Sequence, residues 1–247
     1  MRRRAFVGNL PSRLGNGVIV AIVGGSSRLG RDVAGLLSSS YRVVSTYNKR
    51  NPAGACNNLR EILGQRLDVT SENDIDAFVS FLEDRKEPIA LVYMACHSED
   101  KIAQHCSQSD LALAYEVNCW AAIAIAKKVA PLMIKRSWGR LVFVSSITSR
   151  TAPPGTIAYA ASKSALETSS RVLSREYARF GITSNVIRLG YMSAGLAESL
   201  SVETIDKIRS SIPTGRLGSP DNVAHAIRFI IDADYVNGAI LPIDGGI

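Results

Sequence analysis

Residues 18–30 read VIVAIVGGSSRLG. From Val18 to Val23 the residues are apolar and mostly β-branched with no polar interruption, the pattern of a strand buried on both faces, as in a parallel sheet. Gly24 and Gly25 end that run, and Gly30 opens a helical pattern that extends to Ser38. In a parallel sheet such a turn sets backbone N–H groups and a helix N-terminus where a diphosphate binds, because glycine lets the main chain approach the ligand. The spacing differs from G-x-G-x-x-G, and a tight turn with a purely structural task fits these glycines as well.

The same alternation continues outward. YRVVSTY (41–47), IALVYMA (89–95), RLVFVSS (140–146) and TSNVIRLG (183–190) read as buried strands, and 30–38, 72–84, 111–135 and 159–180 as amphipathic helices between them. Strands alternating with helices predict right-handed β-α-β units and a Rossmann-type, doubly wound parallel sheet in an α/β/α sandwich. Helix ends agree. Thr70 or Ser71 is the expected N-cap before 72–84, Gly181 suits the position past a helix end, and Ser219 with Pro220 starts a helix striped by Val223, Ala226, Ile227 and Ile230.

The 247 residues are 46% hydrophobic and 21% charged, a globular composition long enough for one large domain. Residues 1–17 are expected to form a basic, flexible tail and 18–247 a single domain. A net charge of +7 favours an anionic partner. No Lys/Arg run with interleaved aromatics appears, so a nucleic-acid role is not expected. The apolar run after the N-terminal arginines is too short for an export signal, and no stretch of roughly 18 to 20 apolar residues suggests a membrane span. A soluble, cytoplasmic protein is expected. Cys56, Cys96, Cys106 and Cys119 form no C-x-x-C pair. CHSEDKIAQHC (96–106) raises a zinc site, but reduced loop or structural cysteines fit better, and no metal is expected.

In AYAASKSAL (158–166), Tyr159 and Lys163 are four apart among small residues, so on a helix they share one face. A solvated i,i+4 pair would look the same. Beyond the second strand, STYNKRN (45–51) carries Lys49 and Arg50 and no acid. Dinucleotide sites choose their cofactor here, an acid binding free ribose hydroxyls and a base accommodating a 2′-phosphate, so NADP(H) is expected over NAD, with Arg28 a third candidate cation.

In this order and spacing the motifs resemble the short-chain dehydrogenase/reductases, specifically the branch that includes the 3-oxoacyl-carrier-protein reductases. VGGSSRLG is similar to that family's T-G-x-x-x-G-x-G, and LDVTSENDI to its adenine-contacting D-V segment. VNCW is similar to the segment with its helical Asn, LVFVSSITS to the strand ending in its catalytic Ser, and YAASK to Y-x-x-x-K. IPTGRLGSPDNVA and GAILPIDGG match its late stretches. The resemblance implies that Tyr159 donates a proton to a carbonyl oxygen and that Ser146, rather than the competing Ser145, hydrogen-bonds that oxygen. It implies that Lys163 holds the nicotinamide ribose and lowers the phenol's pKa, and that Asn118 anchors a proton-relaying water. It places the cofactor on Gly24, Ser26, Ser27, Arg28, Leu29, Lys49, Arg50, Asp68, Val69, Ala95, Tyr159, Lys163, Gly190 and Met192.

Three departures stand out. Arg28 replaces a glycine of the family's turn, YMAC (93–96) replaces N-N-A-G, and LG (189–190) replaces P-G, with Ala194 where a threonine is common and Ser193 as a substitute. The resemblance implies a ketone substrate, free or bound to an acidic acyl carrier protein received by Lys135, Arg136, Arg175 and Arg179, although solvated helix faces explain those cations equally. It places substrate choice in 191–211, read as one or two short helices, with Leu196, Leu200, Ile205 and Ile208 as apolar positions. It implies a homodimer or homotetramer through the two long helices. A non-catalytic nucleotide- or partner-binding relative is the competing reading, since fold does not guarantee function.

Overall fold

The computed structural model describes residues 17–49, 62–195 and 201–247. A parallel seven-stranded sheet runs β3-β2-β1-β4-β5-β6-β7, formed by β1 (Ile19–Val23), β2 (Arg42–Tyr47), β3 (Ile62–Arg66), β4 (Ile89–Tyr93), β5 (Gly139–Ser146), β6 (Ile182–Leu189) and β7 (Ile240–Ile243). The chain builds outward from β1 to β3 and then crosses back to β4 on the other side of β1. Val20 pairs with Val43 on one side and Ala90 on the other. The strand order therefore reverses between β1 and β4, the crevice where open α/β sheets bind ligands.

Helices cover both faces. On one lie α1 (Arg28–Leu37) and α8 (Pro220–Asp232), packed on Val18, Val20, Ile22, Val92, Val142 and Ile187. On the other lie α2 (Glu72–Glu83), α4 (Ala121–Arg136) and α6 (Ile157–Tyr177), packed on Ile19, Ala21, Leu91, Leu141 and Phe143. Successive β1 residues serve opposite layers, which is why the strand must be apolar throughout. Each fully buried Leu, Ile or Val there contributes on the order of 1.5–3 kcal/mol before the entropy of ordering is set against it.

The expected helix over 111–135 is longer and composite. It starts as α3 (Gln108–Tyr115), capped by Ser107 and Asp110 in a reciprocal capping box, widens to a π-turn at Glu116–Trp120, and continues as α4. By length and composition alone Gln108–Arg136 could cross a bilayer, with a mean hydropathy of 1.4. Its apolar positions Ile125, Val129 and Met133 are instead fully buried against the sheet, which is how a core helix passes that test. Ser71 is the N-cap of α2, accepting from the Asp74 N–H. Gly181 adopts φ +76° where α6 ends.

The short strand β3 was not expected from the sequence. Its ILGQR residues are half or fully exposed at the sheet edge, so burial writes no apolar pattern there. Of the segment expected to hold short helices, α7 (Val202–Ser211) is one continuous helix. Leu196 and Leu200 lie outside the described residues, as do Arg50, Cys56 and residues 1–16.

Candidate active site

The nucleotide-side wall is shaped by missing side chains. At Gly24, with φ +89°, a Cβ would come 2.5 Å from the Ala95 nitrogen, and at Gly25 one would come 2.0 Å from Ser45 Oγ. A Cβ at Gly30 would meet the Gly24 carbonyl at 2.7 Å. Glycine is thus required for β1, β4 and α1 to approach so closely. Ser27 caps α1 by accepting from the Gly30 N–H at 3.0 Å, and the Gly24 N–H donates to Thr46 Oγ1 at 3.1 Å. The first-turn N–H groups of a helix have no intrahelical acceptor and face outward, a ready anion site. Ser45 Oγ is buried beside Gly25 without a hydrogen-bond partner. A diphosphate fits this cradle, which offers donors, a helix N-terminus and no bulk.

Ser26, Ser27, Arg28 and Leu29 all fall on this turn, with Arg28 exposed at the first position of α1. Its exposure and its helical backbone are how an arginine is accommodated at this position. Lys49 is exposed just beyond β2. Asp68 and Val69 follow β3, where the Asp68 carboxylate accepts from the Thr70 hydroxyl at 2.7 Å and N–H at 3.0 Å. These bonds, with one from Asn48, hold the carboxyl below its usual range. Ala95 follows β4, and Gly190 follows β6, where a Cβ would meet Asp244 Cα at 2.7 Å. Met192 is buried and pairs with Gly218 in an isolated bridge. The described candidates therefore gather at the C-terminal ends of the parallel strands.

The catalytic wall is built from bonded polar groups. Ser146 is the last residue of β5, and its Oγ accepts from the Thr148 N–H at 3.3 Å. Occupying a lone pair this way leaves the hydroxyl proton for the Tyr159 phenol, with which Ser146 is hydrogen-bonded. Ser145, the neighbouring candidate, is buried and donates to Glu167 at 2.8 Å, so it faces away. Tyr159 and Lys163 share one face of α6 as expected, with Lys163 Nζ 5.7 Å from the Tyr159 ring centroid. Lys163 is only 1% exposed and donates to the Val144 carbonyl at 2.8 Å.

Asn118 sits mid-way along the π-turn and is fully buried. Its amide donates to the His97 carbonyl at 2.8 Å and to Ser162 Oγ at 2.9 Å, and its Oδ1 accepts from the His97 N–H at 2.7 Å. The side chain thus clamps the loop after β4 onto α6. Tyr93, in place of the family's asparagine, donates its hydroxyl to the Val117 carbonyl at 2.5 Å and pins the same π-turn. Lys101 ties the rim together through Glu99 and Asp110, both at 2.9 Å, and its N–H donates to the Gly155 carbonyl at 2.8 Å.

The electrostatic balance differs from the lowered phenol pKa anticipated for Tyr159. Burial, reinforced by Cys96 and Asp100, pushes the phenol above its ordinary value, and the hydrogen bond with Ser146 opposes the rise. Burial likewise pushes Lys163 down, against Cys96 and Cys119. An ammonium with one carbonyl partner in a dry site cannot offset the phenol's own desolvation. Among the described residues no group of three or more His, Cys, Asp or Glu side chains converges as metal ligands. A separate cavity of about 480 Å³ is lined by Tyr191, Arg216, His225, Phe229 and Asp244, and Ser146, Tyr159 and Lys163 are not part of it.

Comparison with known proteins adds the family. A family model described as enoyl-(acyl carrier protein) reductase matches residues 26–247. The chain belongs to the short-chain dehydrogenase/reductase family. As a member it is an oxidoreductase built to bind a nicotinamide cofactor. Among similar proteins is the human 3-oxoacyl-[acyl-carrier-protein] reductase, 31% identical, with the match covering 93% of this chain and 97% of that one. Another is the 3-oxoacyl-[acyl-carrier-protein] reductase MabA of Mycobacterium tuberculosis, 26% identical across 92% and 91% of the two chains. Among solved structures, an Agrobacterium tumefaciens protein described as a gluconate dehydrogenase superposes with a TM-score of 0.86 at 26% identity, covering 93% of this chain and 95% of that one. This short-chain dehydrogenase/reductase thus shares its fold with relatives whose names span ketoacyl reduction and alcohol oxidation.

Proposed function

We propose that the protein is an NADPH-dependent ketoreductase that converts a ketone, free or carrier-bound as a β-keto acyl or polyketide chain, to an alcohol. The observation that carries this reading is the convergence of Ser146, Tyr159 and Lys163 beside the glycine cradle. NADPH would supply a hydride to the carbonyl carbon when bound. Tyr159 would donate its phenolic proton to the carbonyl oxygen, and Ser146 would hydrogen-bond that oxygen. A phenol held above its usual pKa remains protonated and so begins as the acid. Lys163 would hold the ribose, with Asn118 supporting the relay through its main chain. Lys49, Arg28 and Arg50 would favour a 2′-phosphate, and the segment 191–211 would select the substrate.

An acyl carrier protein would meet a smaller cationic patch than four residues. Arg136 Nη2 lies within 3.3 to 3.5 Å of the Leu82, Glu83 and Arg85 carbonyls and closes the end of α2. The Arg179 guanidinium stacks 4.6 Å from the Phe180 ring centroid. Lys135, Arg175 and Arg179 remain exposed for docking. A second reading, a nucleotide-binding relative without turnover, is favoured by the changed turn at Arg28. Following NADPH absorbance across free and carrier-linked β-keto thioesters separates the two. Turnover supports the reductase, whereas nucleotide binding with no turnover on any ketone supports the module.

A further inference from the structure

Behind Ser146 lies a buried charged group with no part in the proton-transfer scheme. Glu167, one turn beyond Lys163 on α6, is 4% exposed. Its Oε1 accepts from Ser145 Oγ at 2.8 Å, Ser149 Oγ at 2.7 Å and Arg188 Nε at 2.9 Å, and its Oε2 from Arg188 Nη2 at 2.6 Å. Arg188 stands near the end of β6, opposite Ser145 in the sheet register. Ser149 lies on the short helix α5 (Thr148–Thr151), and its hydroxyl is also 2.7 Å from the Ser146 carbonyl, sharing one proton between two acceptors. Ser164, next to Lys163, donates to the Ser149 carbonyl at 3.2 Å.

We propose that Glu167 is a positioning residue for Ser146: paired with Arg188, it grips the serines on both sides of it and so sets the Ser146 hydroxyl against the Tyr159 phenol. This rests on the ketoreductase reading of the site. Ser146 itself has no bond to the carboxylate, yet Ser145 one residue before and Ser149 three residues after share the same oxygen. The Ser146 main chain is therefore held on both sides by these bonds. Arg188 matters because a buried carboxylate needs a paired charge to stay ionised, and only the ionised form accepts from all three partners without donating. The fork of Arg188 engages both oxygens and fixes the rotation of the carboxylate plane.

The test is Glu167→Gln, whose amide must present N–H either to the guanidinium or to the serines, both of which are donors. We expect kcat for the ketone to fall about ten- to hundredfold, while the NADPH dissociation constant, read by fluorescence, stays within about twofold. Amide exchange at Arg150, Thr151 and Ala152, which closes α5, should quicken selectively. The double variant Glu167→Leu/Arg188→Met removes the acceptor and the cation together. It should recover thermal stability without recovering kcat or slow exchange, since the grip on the serines is still missing. If kcat and exchange return together with stability in the double variant, or never change in Glu167→Gln, the pair is structural only and the proposal is overturned. Should Glu167→Gln fail to fold, Ser149→Ala removes one contact without stranding a charge, and an unchanged kcat there overturns the proposal equally. A wild-type enzyme silent toward every ketone would sink the reductase reading alone, and the exchange rates would still decide the positioning.

Discussion

The two walls of the cleft achieve their geometry by opposite means. Around β1 and α1, shape comes from absence: Gly24, Gly25 and Gly30 have no room for a Cβ, and the chain offers N–H groups to a ligand. Around β5 and α6, shape comes from saturation: Asn118, Ser145, Ser149, Ser162, Lys163, Glu167 and Arg188 each engage a named partner. The difference shows where each wall tolerates change. The first accepts an arginine at position 28, which is exposed, and no side chain at Gly24. The second accepts residues unlike those of its relatives only when their polar atoms find partners, as Tyr93 does at Val117.

Breaking the saturated wall at its chemistry should have the largest effect. Lys163→Met is expected to lower ketone turnover by about 10²- to 10⁴-fold, measured from NADPH absorbance, while the protein stays folded because the replacement removes a costly buried cation. Breaking the other wall should act on binding. Gly24→Ala forces a Cβ to within 2.5 Å of the Ala95 nitrogen at φ +89°. It should cost about 1–3 kcal/mol of stability in denaturant and weaken NADPH binding at least tenfold, about 1.4 kcal/mol, by fluorescence titration. A smaller change is expected from the exposed rim, where Lys49→Ala should narrow the preference for NADPH over NADH by about tenfold, read as the ratio of the two dissociation constants.

The smallest effect concerns acid. For Glu167, burial pushes the carboxyl up, and the bonds from Arg188, Ser149 and Ser145 more than reverse it, so its folded pKa lies below the usual value. The half-buried Asp110 is held down to about 2 by Lys101 and Ser107. A depressed folded pKa contributes stability that is fully present above the unfolded value of about 4 and is lost as pH falls through the folded value. The melting temperature should therefore decline between about pH 4 and pH 2. In Arg188→Met the sign reverses, because an unpaired buried carboxylate takes up a proton on folding. The gap in melting temperature between that variant and the wild type should narrow as pH drops from about 7 to about 4.

The doubly wound parallel sheet and most of its strands were readable from the sequence, because doubly buried strands and glycine-forced turns leave marks in single residues. Val18–Val23, the glycines after it and the Ser219-Pro220 helix start are local statements about burial and backbone. What escaped had no local mark. Strand β3 is exposed at an edge and looks like loop. The π-turn around Asn118 inserts one extra residue per turn without any compositional sign. The engagement of Arg136 with the end of α2, and of Glu167 with Arg188, joins residues 54 and 21 apart in the chain, so they read as ordinary surface charges until the fold brings them together. The desolvation that pushes the Tyr159 phenol up and Lys163 down likewise leaves no mark in the spacing of the two residues.

Single-turnover oxidation of enzyme-bound NADPH by a β-keto thioester, compared between the wild type and Tyr159→Phe, tests the proton-transfer site most directly. The account predicts that the variant binds NADPH as tightly as the wild type and loses at least about a hundredfold in the rate of oxidation. An equal rate in the two proteins would contradict it.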